Sequence, residues 1–272
     1  MNYMDNLFGL KGKIALITGG ASGIGRMIAT ALVQAGAHVL IVSRKAENCE
    51  SVAEALNNLN APGSAEGFGG DITSQESVLA LVESVKSRSD RLDILVNNAG
   101  ISWGANIKDF PHDAWAKVMN INVAGLFTLT RELLPMLEQA AGNDDPARII
   151  NIGSVMGTLP ISEGAYSYSA SKAAVHHLTR ILADEFTSRR ITVNAFAPGP
   201  FPSRMTAFAT ATAQGAQKVS ANVPLGRLGT PEDIAGATLF LCGRGGAYVT
   251  GAILPIDGGM SVQNSVNLFG NL

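Results

Sequence analysis

Short apolar runs of strand length recur through almost the whole chain, and all but the last are followed by an amphipathic stretch of helical period. The runs fall at 14–18, 38–43, 65–71, 94–97, 148–153, 192–197 and 253–256, with helical patterns near 24–35, 47–59, 75–88, 112–140, 168–188 and 231–242. Such alternation makes neighbouring strands run parallel, because a return in the same direction needs a crossover long enough to be a helix. The predicted fold is therefore α/β: a doubly wound parallel sheet of about seven strands with helices on both faces. Right-handed crossovers in such a sheet put a ligand site at the carboxyl ends of the strands, where the strand order reverses. With 272 residues, 46% of them hydrophobic, and no linker-like stretch, residues 1–272 are expected to form one domain around one large core.

Charge narrows the class of partner. A net charge of -2 leaves no basic surplus for nucleic acid or an anionic membrane, and neither is expected as a partner. The apolar run at 14–17 is far too short to span a bilayer, and no basic segment precedes it, which predicts a cytoplasmic protein. Only Cys49 and Cys242 are present, and two free thiols fit a reducing compartment. His176 and His177 have no carboxylate or cysteine at ligand spacing, so no metal site is expected and they read as packing or interface residues.

Between the first strand and the first helix lies Thr18-Gly-Gly-Ala-Ser-Gly-Ile-Gly25. Gly19, Gly23 and Gly25 stand where a tight turn must let backbone approach a pyrophosphate, and the helix N-terminus that follows faces the anion. The second strand ends in Ser43-Arg44-Lys45, with no carboxylate for a 2'-hydroxyl. Arg44 is instead suited to a 2'-phosphate, which points to NADP(H) over NAD(H). Asp71 ends the third strand and Asn98 follows the fourth, both placed to hydrogen-bond the adenosine moiety and its surroundings.

The chemistry is carried by Tyr168-Ser-Ala-Ser-Lys172. Residues four apart share a helix face, so the phenol and the ammonium point into one cleft. A neighbouring cation favours the phenolate and is expected to lower the phenol from its ordinary value near pH ~10, letting it trade a proton at neutral pH.

These motifs together resemble the short-chain dehydrogenase/reductase family, from about Lys11 to Gly259. Thr18 to Gly25, including Ser22 and Ile24, is similar to its glycine motif, Asp71-Ile72 to its adenine-contacting pair, and Asn97-Asn-Ala-Gly100 to its fourth-strand signature. The resemblance implies a Rossmann-type fold with Asn122, Ser154, Tyr168 and Lys172 as the catalytic set. It implies that Pro198-Gly199, the Phe201 backbone and Ser203 hold the nicotinamide carboxamide, and that Ile256-Asp-Gly-Gly259 closes the core. Hydride delivery to a carbonyl carbon would then be matched by a proton from Tyr168, with Ser154 holding the oxygen. Lys172 would bind ribose hydroxyls, and Asn122 would position a water linking Lys172 to solvent. Two positions depart from the family pattern. Tyr168 follows Ser154 by fourteen positions, one more than usual, yet Tyr166 has Ala170 four residues on and lacks a cation. Ser22 replaces the basic residue of many NADP-dependent members, leaving the 2'-phosphate mainly to Arg44.

Within the family the chain is most similar to reductases of 3-oxoacyl thioesters of the rhamnolipid-synthesis type. A hydroxysteroid or other secondary-alcohol dehydrogenase is the alternative, and a non-catalytic NADP(H) sensor a remote one. Residues 199–224 read as a loop or short helices able to cover the site. Trp103, Met156, Leu159, Ile161, Phe201, Met205 and Phe208 are expected to wall the substrate. The extension 261–272 is expected to dock near the opening through Leu268 and Phe269. The family resemblance further implies a homotetramer, built partly through helices 112–140 and 168–188.

Overall fold

The computed structural model describes residues 2–161 and 164–263. Seven strands, β1 (Ile14–Thr18), β2 (His38–Ser43), β3 (Ser64–Gly69), β4 (Ile94–Asn97), β5 (Ala147–Ile152), β6 (Ile191–Pro198) and β7 (Ile253–Ile256), form one sheet. Every pairing is parallel, and the order is β3-β2-β1-β4-β5-β6-β7. The strands are where the apolar runs placed them, to within two residues at each end. Leu268 and Phe269 lie outside the described residues.

The helices are α1 (Tyr3–Phe8), α2 (Gly23–Gln34), α3 (Ala46–Asn57), α4 (Gln75–Lys86), α5 (His112–Met119), α6 (Leu126–Ala140), α7 (Tyr166–Thr187), α8 (Ala207–Thr210), α9 (Ala213–Ser220) and α10 (Pro231–Cys242). Successive strand side chains point to opposite faces, so a single strand feeds two cores. Ala15, Ile17, Val39, Ile41 and Val96 pack on one face with Ile28 and Leu32 of α2, Val52 of α3 and Ile234 of α10. Leu16, Leu40, Val42 and Leu95 pack on the other with Leu81 of α4, Leu133 of α6 and Phe186 of α7. Burial on both faces is why the central strands read as continuous apolar runs rather than alternating ones.

Three features were not in the apolar pattern. α1 precedes the expected start of the core, capped by Asn2, whose Oδ1 accepts from the Asp5 amide at 2.8 Å. The 112–140 helix is interrupted by a π turn, Asn120–Gly125, that joins α5 to α6. A Cβ on Gly125 would lie 2.3 Å from the Ile72 carbonyl, so this glycine lets the turn press against the loop after β3. The stretch after β6 holds α8 and α9, the short helices its composition allowed.

The chain winds outward from β1 to β3, then returns to the other side of β1 as β4. Loops leaving β1 and β4 therefore diverge, and a crevice opens between them at the carboxyl edge. Among the described residues no helix is long and apolar enough to cross a membrane.

Candidate active site

The crevice floor is the glycine loop. Gly19 and Gly23 have φ of +65° and +52°, a region that costs other residues steric strain. A Cβ on Gly25 would sit 2.5 Å from Asn98 Nδ2 and 2.6 Å from the Gly19 carbonyl. The loop is stapled to β4 in two ways. Thr18 Oγ1 accepts from the amides of Asn98 and Ala99, each at 3.0 Å, and Asn98 Nδ2 donates to the carbonyls of Thr18 (2.8 Å) and Gly19 (3.1 Å). Asn98 therefore shapes the loop with both amide hydrogens and keeps only Oδ1 for a ligand, a narrower part than the sequence suggested. Ser22 is the N-cap of α2 and makes no side-chain cap, so the amides of the first turn, from Gly23, Ile24 and Gly25 onward, have no side-chain acceptor from it. A concave run of amides with no room for side chains fits a pyrophosphate.

A narrow cleft of about 180 Å³ continues past Val42, Ser43, Arg44, Asp71 and Ile72. Asp71 accepts from the Ile72 amide at 2.8 Å and from Thr73 Oγ1 at 2.6 Å, which fixes the loop wall. Arg44 is exposed at the rim, and among the described residues no carboxylate pairs with it.

A wider cleft of about 300 Å³ runs the other way, from Gly19 and Ile24 to Ser154, Tyr168, Lys172 and Ser203. Tyr168 and Lys172 share a face of α7, and Lys172 Nζ lies 5.5 Å from the Tyr168 ring centroid. Lys172 donates to the Ile152 carbonyl at 2.6 Å. Burial lowers its ammonium to a pKa of about 8 from 10.5. The same burial raises the Tyr168 phenol above its ordinary value, and the Ser154 hydroxyl beside it offsets part of that. The expectation that the phenol is lowered is therefore corrected: desolvation sets the direction, and it is upward. Tyr166 points elsewhere, edge-on to Phe110 at 5.3 Å between ring centroids.

Ser154 follows β5 and caps a short 3-10 turn, Val155–Gly157, its Oγ accepting from the Met156 amide at 3.2 Å. Asn122, in the π turn, is 2% exposed and has its whole amide engaged. Oδ1 accepts from the Ile101 amide at 2.8 Å, while Nδ2 donates to the Ile101 carbonyl and to Ser171 Oγ, each at 2.9 Å. It ties the loop after β4 to α7, which spends both Nδ2 hydrogens and leaves Oδ1 one lone pair. Gly100 marks how tight this corner is: a Cβ there would meet Asn122 Oδ1 at 3.1 Å and Lys172 Nζ at 3.7 Å.

Of the residues expected to wall the substrate, Met205 lines the wider cleft. Trp103 and Phe208 are exposed, whereas Met156, Leu159 and Ile161 are half-buried. Phe201 is corrected: its ring is 3% exposed in the core beneath Gly229, whose Cβ would overlap it at 2.2 Å. Thr206 Oγ1 braces that segment by donating to the Phe201 carbonyl at 2.7 Å and accepting from the Ser203 amide at 3.0 Å. This brace escaped sequence reasoning, since Thr206 carries no motif of its own.

The chain is similar to named proteins along most of its length. Residues 19–261 match the family described as enoyl-(acyl carrier protein) reductase. A rhamnolipids-biosynthesis 3-oxoacyl-[acyl-carrier-protein] reductase of Pseudomonas aeruginosa is 46% identical over 94% of this chain and 99% of its own length. A 3-oxoacyl-[acyl-carrier-protein] reductase of Thermotoga maritima is 36% identical over 93% of this chain and 99% of its own. The Pseudomonas aeruginosa RhlG/NADP active-site complex superposes with a TM-score of 0.91 at 46% identity, covering 94% of this chain and 99% of that one. A glycine cradle at the sheet's switch point, a Tyr-x-x-x-Lys helix and near-complete coverage by such relatives lead to one assignment: the chain belongs to the short-chain dehydrogenase/reductase family.

Proposed function

We propose that this protein is an NADP(H)-dependent ketoreductase acting on the carbonyl of a 3-oxoacyl thioester. The observation that carries the reading is the convergence of Ser154, Tyr168 and Lys172 at the far end of a crevice that starts at Arg44 and crosses the glycine cradle. Two hydroxyl donors meeting at one point suit a single carbonyl oxygen. The full-length relatives named above are reductases of such carbonyls.

In this reading Gly19 to Gly25, with Ser22 and Ile24, hold the pyrophosphate. Ser43 and Arg44 hold the 2'-phosphate, and Asp71 and Ile72 border the adenine. The segment braced by Thr206, with Phe201 and Ser203, borders the nicotinamide. When bound, NADPH supplies the hydride. Tyr168 gives its proton to the carbonyl oxygen, and the raised pKa of the phenol keeps that proton in place at neutral pH until negative charge develops. Lys172 has three hydrogens and spends one on Ile152, leaving two for ribose hydroxyls and a proton-resupplying water. Asn122, whose Oδ1 keeps one lone pair, positions that water. The buried free thiols Cys49 and Cys242 suit a reducing cytoplasm.

A panel of 3-oxoacyl thioesters, cyclic ketones and steroid ketones, run with NADPH and in reverse with the alcohols, tests the substrate class. The thioesters are expected to give the highest kcat/KM, and a preference for steroids would overturn this part. The 37% identity to a 2-(S)-hydroxypropyl-CoM dehydrogenase of Xanthobacter autotrophicus makes secondary alcohols a needed arm of the panel.

Lys172 also sets a pH limit. Its ammonium is lost from about pH 8, so kcat/KM for reduction falls above that pH. Over the interval from about 8 to 10.5 the unfolded chain holds the extra proton, so this group's contribution to stability rises with pH. Activity lost while Lys172 adds to stability rather than subtracting from it is the expected pattern, and a flat kcat/KM up to pH ~10 would contradict it.

The assembly expected is a homotetramer. Trp115, Phe127 and Ile181 are exposed large apolar side chains on α5, α6 and α7, as at a subunit contact. Light scattering at micromolar concentration should give four chains, with Ile181→Glu lowering the number. A wild-type monomer would contradict the expectation.

A further inference from the structure

His176 sits on α7 one helical turn beyond Lys172 and is 5% exposed, yet the reaction as derived does not use it. Its ring fills a slot made by two glycines. A Cβ on Gly153 would lie 2.2 Å from His176 Nε2, and one on Gly157 would lie 2.8 Å from Cε1. These glycines flank the turn that begins with Ser154. The Ser154 amide donates to His176 Nε2 across a long 3.4 Å, and among the described residues that buried amide has no other acceptor. On the opposite side of the ring, Nδ1 faces Thr158 Oγ1 at 3.5 Å. An imidazole that accepts at Nε2 carries its proton on Nδ1, where Thr158 Oγ1 can receive it.

We propose that His176 is a positioning residue for Ser154: its neutral imidazole holds the Ser154 amide and so fixes the turn that presents the Ser154 hydroxyl to the substrate oxygen. This rests on the reading of Ser154 as a donor to that oxygen. The hydroxyl oxygen already accepts from the Met156 amide, so its own hydrogen is left for the cleft. An apolar side chain in the slot strands a buried amide, and the turn must shift to satisfy it. Such a shift moves Ser154 Oγ, to which catalysis is sensitive. Burial, with Lys172 and Arg180 on the same helix adding to it, lowers the imidazole to a pKa of about 4, so the ring stays an acceptor at neutral pH.

His176→Gln and His176→Met have nearly the same shape, but only glutamine offers an acceptor near the position of Nε2. For reduction of a 3-oxoacyl thioester, the methionine variant is expected to lose kcat by about tenfold relative to the glutamine variant. The two should share the same KM for NADPH and the same melting temperature. Equal kcat in the two, whether near wild type or equally impaired, would overturn the proposal. If neither variant folds, or if wild type turns over no thioester, the histidine-labelled wild-type protein decides. Its 15N spectrum should show a His176 imidazole protonated at Nδ1 alone between about pH 6 and 8. An Nε2-protonated ring or an imidazolium in that range would overturn the proposal. Absence of wild-type turnover refutes the substrate reading, whereas turnover with equal variants refutes only the role of His176.

Discussion

Replacing Tyr168 by Phe is expected to lower kcat by roughly 10²–10⁴-fold while leaving NADPH affinity within about twofold, since only a transferable proton is removed. The ring stays in place over Lys172. Tyr166 is two residues away but packs on Phe110, so Tyr166→Phe should leave kcat nearly unchanged. The Tyr168 hydroxyl is flanked by Ser154, whose own hydrogen cannot replace it as an acid, because an aliphatic hydroxyl is far less acidic than a phenol. Stopped-flow turnover and fluorescence titration of NADPH on both variants separate chemistry from binding. Near-wild-type kcat in Tyr168→Phe would remove Tyr168 from the mechanism.

Arg44→Asp is expected to shift the ratio of kcat/KM for NADPH over NADH toward NADH by roughly a hundredfold, the scale of one charge-assisted hydrogen bond exchanged for a repulsion. Arg44 lies at the rim of the cleft beside Ser43 and Asp71, in a region without a competing basic group at Ser22. A new carboxylate repels a 2'-phosphate and accepts from a 2'-hydroxyl. An unmoved ratio would show that Arg44 does not read the 2' position, and preference for NADP(H) would need another residue.

Strand positions were legible because residues buried on both faces must be apolar, as along Leu40, Ile41 and Val42. Parallel pairing followed from the alternation of strands and helices, whereas the order of the strands was visible only in the structure. The interruption at Asn120–Gly125 was hidden, because a π turn keeps helical periodicity on either side and is set by the fit of Gly125 against the Ile72 carbonyl, a contact distant in sequence. The hydrogen-bond partners of Asn122 and Asn98 were hidden because they depend on two loops meeting in space. Phe201 misled in a different way: an aromatic in a proline-rich loop reads as a site wall, whereas Gly229 opens a core socket for it. The direction of the Tyr168 shift was misjudged because spacing reveals the neighbouring cation but not the burial that raises the phenol.

The central claim, that Tyr168 and its neighbours bind a carbonyl oxygen while NADPH reduces the carbon, is tested most directly by isotope transfer. NADPH carrying deuterium at nicotinamide C4, with each face labelled in turn, is incubated with a 3-oxoacyl thioester and the wild-type protein. The account predicts a 3-hydroxyacyl product with deuterium on the carbinol carbon from one face only, and its loss in Tyr168→Phe. Cofactor consumption without label on that carbon, or no consumption at all across the ketone panel, would contradict it.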